Sequence, residues 1–151
     1  MRRDINPLIS DSFELIIDES VDAISLIENG SYGTKASRIL ALPTSNLSDE
    51  RHILSAKLFS YHGFRNFIEL SKFMASDGFR PGVLSEMLYF DQVYGDCEKN
   101  LVIISLGSCY YNRRGYLYCP ILYYVDKRPC LKLISAFGSW SQDIKFLGIM
   151  L

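Results

Sequence analysis

The sequence predicts one α+β domain over residues 1–151, built from two short helices and a small, mostly antiparallel sheet. Two stripes of apolar side chains at helical spacing lie close together in the middle of the chain, at 67–77 and 84–90. A continuous apolar run follows at 101–106, which is typical of a buried strand, and residues 109–125 alternate around a turn as a hairpin does. Two consecutive helices followed by strands, with no internal repeat and no linker, favour one α+β domain.

The N-terminal third carries weaker signals. Residues 1–12 are predicted to form a loose arm, and the apolar run 13–17 a first strand. The apolar spacing at 21–27 fits a short helix, although a strand fits this segment as well. Two further strands are predicted, at 38–42 and at 53–61. The second has apolar residues on both parities, as a strand covered on both faces does.

The turn between the two predicted helices is the best-defined local structure. Asn66 is a suitable cap for the first helix, and Gly78 stands where a left-handed residue ends one. Pro81 lies near the start of the second helix. Arg80 has the donor geometry to pair with Glu86 or to bind carbonyl groups here, and a structural role for this arginine is favoured over ligand binding.

The last third of the chain is predicted to consist of strands joined by turns. Turn residues occur at 112–115 and again at 126–129, and a loop is predicted through 138–143. The apolar segment 145–151 then closes the sheet as a last strand.

Composition limits the function classes. Of the residues 48% are hydrophobic and 22% charged, which is a globular composition, and a net charge of −1 argues against general nucleic-acid binding. No apolar run approaches the roughly eighteen residues of a membrane helix, so membrane insertion is not expected. Polar and acidic residues follow Arg2 and Arg3, so we expect a soluble protein without a cleaved signal, cytoplasmic by default and otherwise of unknown location.

Neither a metal site nor a catalytic motif is predicted. The cysteines are separated by 12, 10 and 11 residues, which fits neither a zinc site nor a redox pair. Their even number permits disulfides in an oxidising compartment, but because no signal is predicted, reduced, buried thiols are expected. A calcium site needs a cluster of oxygen ligands, whereas the loop Trp140–Asp143 offers one carboxylate. We therefore expect no cofactor, no metal and no catalytic residue. The four cysteines are Cys97, Cys109, Cys119 and Cys130.

Four cations stand at the two predicted turns, namely Arg113, Arg114, Lys127 and Arg128. Interleaved with tyrosines, such cations can stack and bind single-stranded nucleic acid. Charged pairs at the tips of turns more often keep hairpin ends soluble, and we expect no nucleic-acid partner.

Short motifs in the second half of the chain carry a family resemblance. They are Gly78-Phe79-Arg80-Pro81 with Leu84 and Glu86, then Leu106-Gly107-Ser108, then Trp140 and the closing pair Phe146-Leu147. Together they resemble the C-type-lectin-fold proteins whose C-terminal region is diversified by diversity-generating retroelements. The turn is also similar to the Gly-x-Arg-x-Pro turn of formylglycine-generating-enzyme-like domains. The resemblance covers about residues 53–151.

The resemblance implies a C-type-lectin-like domain whose terminal strands lie close together. It also implies that the last few dozen residues form a ligand-binding face, varied by template-directed mutation at adenines while the scaffold stays fixed. The composition agrees, because six of the ten tyrosines fall between Cys109 and Val125. Tyrosine provides large, rigid contact area with a polar tip, as binding sites favour. The alternative is that these tyrosines are strand formers packed at the sheet edge.

We therefore expect a non-enzymatic protein whose C-terminal half, about 101–151, binds an unknown macromolecule that we expect to be a protein. The predicted contact residues are Tyr110, Tyr111, Tyr123, Tyr124, Asp126, Arg128, Ser135, Phe137, Ser139, Trp140, Ser141, Gln142 and Asp143. A first alternative is a small enzyme or enzyme remnant of the formylglycine-generating type, which would have a reactive cysteine at Cys119 or Cys130. A second is an oligomeric interaction subunit that uses the tyrosine face as a permanent contact.

Overall fold

The computed structural model of the protein describes residues 13–18, 23–29, 32, 51–60, 66–94, 102–136 and 144–151. Within these ranges lie eight strands and three helices. In chain order they are β1 (Phe13–Asp18), α1 (Ala23–Asn29), β2 (Arg51–Ser60), α2 (Phe67–Ser76), β3 (Phe79–Pro81), α3 (Leu84–Tyr94), β4 (Val102–Ile104), β5 (Tyr110–Tyr111), β6 (Leu117–Val125), β7 (Arg128–Ser135) and β8 (Ile144–Met150), with a 3-10 turn at Leu106–Ser108.

The strands form one sheet in the order β1-β2-β8-β4-β6-β5, with β3 also paired to β8 and β7 also paired to β6. All these pairs are antiparallel except β4 with β8, which is parallel. The α+β class and the mostly antiparallel sheet are therefore confirmed. The sheet is larger than predicted, and the described ranges hold three helices rather than two, because the segment that fitted either helix or strand forms α1.

Helices lie on both faces of the sheet, since the strands direct alternate side chains to opposite faces. On one face Leu58 and Leu147 belong to a buried cluster that includes Met87 of α3. On the other face Phe59 and Phe146 belong to a second buried cluster, which includes residues of α2. The covered strand predicted at 53–61 therefore corresponds to the second half of β2.

Helix α2 begins and ends where the sequence predicts. The side-chain oxygen of Asn66 accepts a hydrogen bond from the N–H of Glu69 at 2.9 Å, which caps the first turn. Leu70 and Met74 form its buried stripe. Gly78 follows the helix with φ +87°, a conformation that glycine adopts without steric cost.

The next helix, α3, begins at Leu84, the first residue of the predicted apolar stripe, and the preceding Pro81 ends β3 and pairs with β8. The N–H of Val83 donates to Oε1 of Glu86 at 2.9 Å, which is one half of a capping box. A second cap comes from a distant part of the chain. The N–H of Leu84 donates to Oγ of Ser108 at 2.7 Å.

A set of backbone contacts at Gly82 ties this helix start to the sheet. The Gly82 carbonyl accepts hydrogen bonds from the N–H of Gly107 at 2.9 Å and from Oγ of Ser105 at 2.8 Å. The Gly82 N–H donates to the carbonyl of Leu147 at 2.7 Å. A Cβ on Gly107 would lie 2.7 Å from the Gly82 oxygen, so this approach requires glycine. We call Gly82, Ser105, Gly107 and the Ser108–Leu84 pair the junction.

Arg80 reinforces the junction in both of the ways predicted for it, because Nη1 donates to the Pro81 carbonyl at 3.2 Å and the guanidinium forms a bidentate ion pair with Glu86. The Nη1–Oε1 and Nη2–Oε2 distances are 2.9 and 2.6 Å. Glu86 is only 5% exposed, and its hydrogen bonds raise the pKa of Arg80. This arginine is structural, as predicted, because a buried carboxylate needs such a partner.

Two tyrosines of α3 protect β1, which lies at one end of the sheet order. The hydroxyl of Tyr94 donates to the carbonyl of Glu14 at 2.9 Å. The hydroxyl of Tyr89 donates to the carbonyl of Asp18 at 3.0 Å and accepts from the Asp18 N–H at 3.2 Å. These bonds occupy backbone groups that an edge strand otherwise offers to another chain.

We expect Glu86→Ala to lower the free energy of unfolding by about 2–4 kcal/mol, because the substitution leaves the Arg80 guanidinium and the Val83 N–H without their partner. The matched control is Asp77→Ala at the exposed Lys57–Asp77 ion pair, whose Nζ–Oδ2 distance is 3.0 Å. This control should cost no more than about 1 kcal/mol. Urea denaturation of both variants measures the difference, and equal losses would contradict the structural role of the Arg80–Glu86 pair.

Candidate functional site

Strand pairing assigns three predicted contact residues to the sheet face that α3 covers. Tyr110 lies directly opposite Tyr118 on β6, and Tyr118 lies opposite Ser135 on β7. Tyr124 has the same parity on β6 as Tyr118, so it lies on this face as well. Tyr110 and Tyr124 are half-buried on this face, whereas Ser135, at the end of β7, is exposed.

Three other predicted contact residues lie on the opposite face. Tyr111 is paired with Leu117, which has the same parity on β6 as Tyr123. Arg128 is paired with Val125 on this face, and Asp126 lies in the turn between them. The seven described contact residues are therefore not brought together on one surface. The remaining six, Phe137, Ser139, Trp140, Ser141, Gln142 and Asp143, lie outside the described residues, as do the predicted arm 1–12 and the predicted strand 38–42.

Tyr124 is tied to α3 through Asp91. Its hydroxyl donates to one oxygen of the Asp91 carboxylate, and the hydroxyl of Tyr32 donates to the other at 3.0 Å. Tyr32 is buried, and its burial, together with the charge of Asp91, raises the pKa of Tyr32. One carboxylate thus joins residue 32, α3 and β6, so Tyr124 contributes to packing.

Tyr32 should make stability fall at high pH. Because the pKa of Tyr32 is raised above the ordinary tyrosine value of about 10, the unfolded chain loses this proton first. Its contribution to stability is then complete below about pH 10 and is lost as pH rises further. Tyr32→Phe should flatten the decrease of the melting temperature above pH 10, whereas Tyr116→Phe, at an exposed ring, should keep the wild-type slope. Identical slopes for all three proteins would contradict this assignment.

Tyr110 and Tyr123 are both half-buried but have different surroundings. The Tyr110 ring lies 6.2 Å from that of Tyr118, and its buried hydroxyl makes no hydrogen bond within the described part of the chain. The ring of Tyr123 is covered by Nζ of Lys132 at 5.0 Å, a cation–π geometry. Both tyrosines are thus engaged with their own sheet.

Two tyrosines are instead well exposed, Tyr111 at 67% and Tyr116 at 53%. They flank the turn predicted at 112–115, which the structure confirms. Oδ1 of Asn112 accepts hydrogen bonds from the N–H groups of Arg114 and Tyr116, each at 2.9 Å. The Asn112 N–H donates to the Tyr116 carbonyl at 2.8 Å. We call the segment Tyr111–Tyr116 the tip.

The contact prediction omitted Tyr116 and the two arginines of the tip, Arg113 and Arg114. All three are exposed. The available signal was Asn112, because an asparagine side chain can bind backbone groups two residues ahead and so hold the following residues outward. The tyrosine count alone did not separate exposed rings from packed ones.

A disulfide fixes the base of the tip and corrects the expectation of reduced thiols. Cys109 and Cys119 are bonded, with their Cα atoms 4.3 Å apart, at the position next to the Tyr110–Tyr118 pair. A separation of 10 residues carries no motif, and antiparallel pairing is what brings the two cysteines together. Cys130 is free and buried, and Cys119 is 0% exposed, so neither candidate for a reactive cysteine is accessible.

The four turn cations do not form one basic patch. Arg113 and Arg114 precede β6, whereas Lys127 and Arg128 follow it. Nine residues of strand separate the two groups, which is about 30 Å at the usual rise per residue. The second turn has two residues, Asp126 and Lys127, with φ +50° and +66°, as a type I′ hairpin requires.

Neither metal nor membrane features are found in the part of the chain that the structure describes. It holds no group of three or more His, Cys, Asp or Glu side chains suited to a metal ion. It also holds no helix that is long and apolar enough to cross a membrane.

Comparisons with protein-family models, curated proteins and solved structures found no match for this chain. The resemblance to C-type-lectin-fold variable proteins therefore stays a prediction.

Proposed function

We propose that the protein is a non-enzymatic binding module whose C-terminal half, about residues 101–151, recognises a macromolecule, most simply another protein. The observation that carries the proposal is the exposure of Tyr111 and Tyr116 on a turn fixed by Asn112 and by the nearby disulfide. Exposed aromatic rings on a rigid support lose little conformational entropy on binding, which favours affinity.

The arrangement of the scaffold supports a C-type-lectin-like assignment within this proposal. In the segment that carries the resemblance, the first and last strands, β2 and β8, pair antiparallel, and two helices follow β2. The resemblance implies such a plan. β1 and α1 precede that segment and add a strand and a helix to it.

The division between packed and exposed tyrosines supports a diversified face. Tyr124 and Tyr110 contact the scaffold, so replacing them changes stability, whereas Tyr111 and Tyr116 can vary without disturbing the core. We propose that variation by a retroelement, if the gene has one, falls on the exposed group. The same surface would serve the oligomeric alternative if its ligand were a second copy of the chain, and sedimentation separates these cases.

The DNA around the gene tests this function directly. We expect a near-copy of the 3′ coding segment beside a reverse transcriptase gene, with differences concentrated at adenines. The variable codons should include those of Tyr111 and Tyr116 and exclude those of Tyr110 and Tyr124. A gene without such a copy, or a copy whose differences fall on the packed tyrosines, would contradict the diversified module.

Matched variants supply the corresponding protein measurement. The double change Tyr111→Ala with Tyr116→Ala should alter the free energy of unfolding by no more than about 1 kcal/mol, since isolated surface changes usually cost less than about 0.5 kcal/mol each. Tyr124→Ala should cost about 2 kcal/mol or more, because it removes a half-buried ring and a hydrogen bond to Asp91. Urea denaturation of both proteins decides, and a large loss in the double variant would place the tip in the core.

A further inference from the structure

We propose that the tip binds an acidic protein segment, with Arg113 and Arg114 pairing with carboxylates and Tyr111 and Tyr116 shielding those pairs from water. This inference rests on the proposed function and names the chemistry of its ligand. Arg113, Arg114 and both tyrosines are exposed in the structure.

The charge distribution along the chain favours an acidic ligand. Residues 99–151 contain seven Lys and Arg against two Asp and Glu, whereas residues 1–98 contain nine against fifteen, giving net charges of +5 and −6. The sequence from 99 to 125 contains no acidic residue, so both tip arginines lack an acidic neighbour along β5 and β6. An approaching carboxylate therefore meets no negative charge from β5 or β6, which favours a faster association rate.

The geometry of the tip favours direct binding of carboxylates by the two arginine side chains over long-range attraction by the net positive charge. Asn112 binds the N–H of Arg114 on the far side of the turn, and the Gly115 N–H donates to the Asn112 carbonyl at 3.0 Å. Both arginines are thus presented from a fixed backbone. Guanidinium groups bind carboxylates with two parallel hydrogen bonds, and a pre-organised backbone reduces the entropy lost on binding.

The two tyrosines give the site its second component. They enter and leave the turn on either side of the arginine pair, and both rings face solvent. Residues that surround a charged pair and exclude water strengthen it, because the effective dielectric constant falls. An extended segment with alternating acidic and small residues fits these features, since its carboxylates reach the arginines while its backbone lies along the rings.

The cation spacing favours a protein ligand over a nucleic acid. Nucleic-acid affinity grows with the number of phosphates neutralised, and the tip supplies two cations. The cations at the other turn lie about 30 Å away along β6 and do not extend a continuous track. A short acidic segment needs only the local pair.

The test measures binding of a fluorescent peptide of alternating glutamate and serine to the full-length protein, at one ionic strength. A glutamine–serine peptide and a thymidine oligonucleotide of equal length serve as comparison probes. The variant is Arg113→Ser with Arg114→Ser. Its matched control is Lys127→Ser with Lys132→Ser, which removes the same charge from the same half of the chain. Circular dichroism and sedimentation establish that all proteins share one fold and one oligomeric state.

We expect the arginine double variant to weaken glutamate-peptide binding about tenfold or more, and the lysine control to weaken it less than about twofold. Tyr111→Ala with Tyr116→Ala should also weaken binding several-fold, as loss of a rim of aromatic contacts does. Equal losses in the arginine and lysine variants would overturn the proposal, because they would reveal long-range attraction alone. Tighter binding of the oligonucleotide than of the glutamate peptide would overturn it as well.

Selection from displayed random peptides tests the acidic ligand separately from the proposed binding function. Enrichment of acidic sequences that require the tip arginines supports both. Enrichment of sequences without acidic residues that still require Tyr111 and Tyr116 overturns the acidic ligand and leaves the binding module. If no selected peptide depends on the tip, both proposals fail.

Discussion

The close approach of two backbones at Gly82 and Gly107 is the constraint on which the rest of this fold depends. One carbonyl accepts hydrogen bonds from the Gly107 N–H and from the Ser105 hydroxyl, and the neighbouring Ser108 hydroxyl caps α3. No side chain fits between these two segments, because a Cβ on Gly107 would lie 2.7 Å from the Gly82 oxygen. Helix α3, strand β8 and the start of the C-terminal half are thereby fixed relative to one another.

The backbone contact between Gly82 and Gly107 also restrains the tip. Ser108 is followed at once by Cys109, whose disulfide to Cys119 holds the two-residue strand β5 against β6. A strand of two residues has few hydrogen bonds of its own, so the covalent bond and the junction supply the order that pairing alone does not. The scaffold therefore holds the turn in position, and the exposed side chains of the turn provide the contact groups.

The scaffold also uses tyrosines as hydrogen-bond donors that join helix α3 to the sheet, namely Tyr89, Tyr94 and Tyr124.

Local features of the sequence predicted local structure well, and features that depend on distant pairing were missed. The cap at Asn66, the glycine at Gly78 and the Arg80–Glu86 pair each involve residues within six positions, and all are present. The Cys109–Cys119 bond and the Ser108 cap depend on which strands are neighbours, which no spacing reveals. The candidate site shows the same limit, because adjacent tyrosines such as Tyr123 and Tyr124 necessarily face opposite sides of a strand. Composition identified a tyrosine-rich region but not which rings reach solvent.

Native-state hydrogen exchange at the amides of Leu84 and Gly107 tests whether the junction is part of the global folding unit. If it is, both amides should exchange with the same free energy as the amide of Leu58 in the buried sheet, and all three should respond equally to low concentrations of urea. Exchange of Leu84 and Gly107 that is orders of magnitude faster than that of Leu58, and independent of urea, would show local opening. That result would contradict a rigid junction, and the tip would then lack a rigid support.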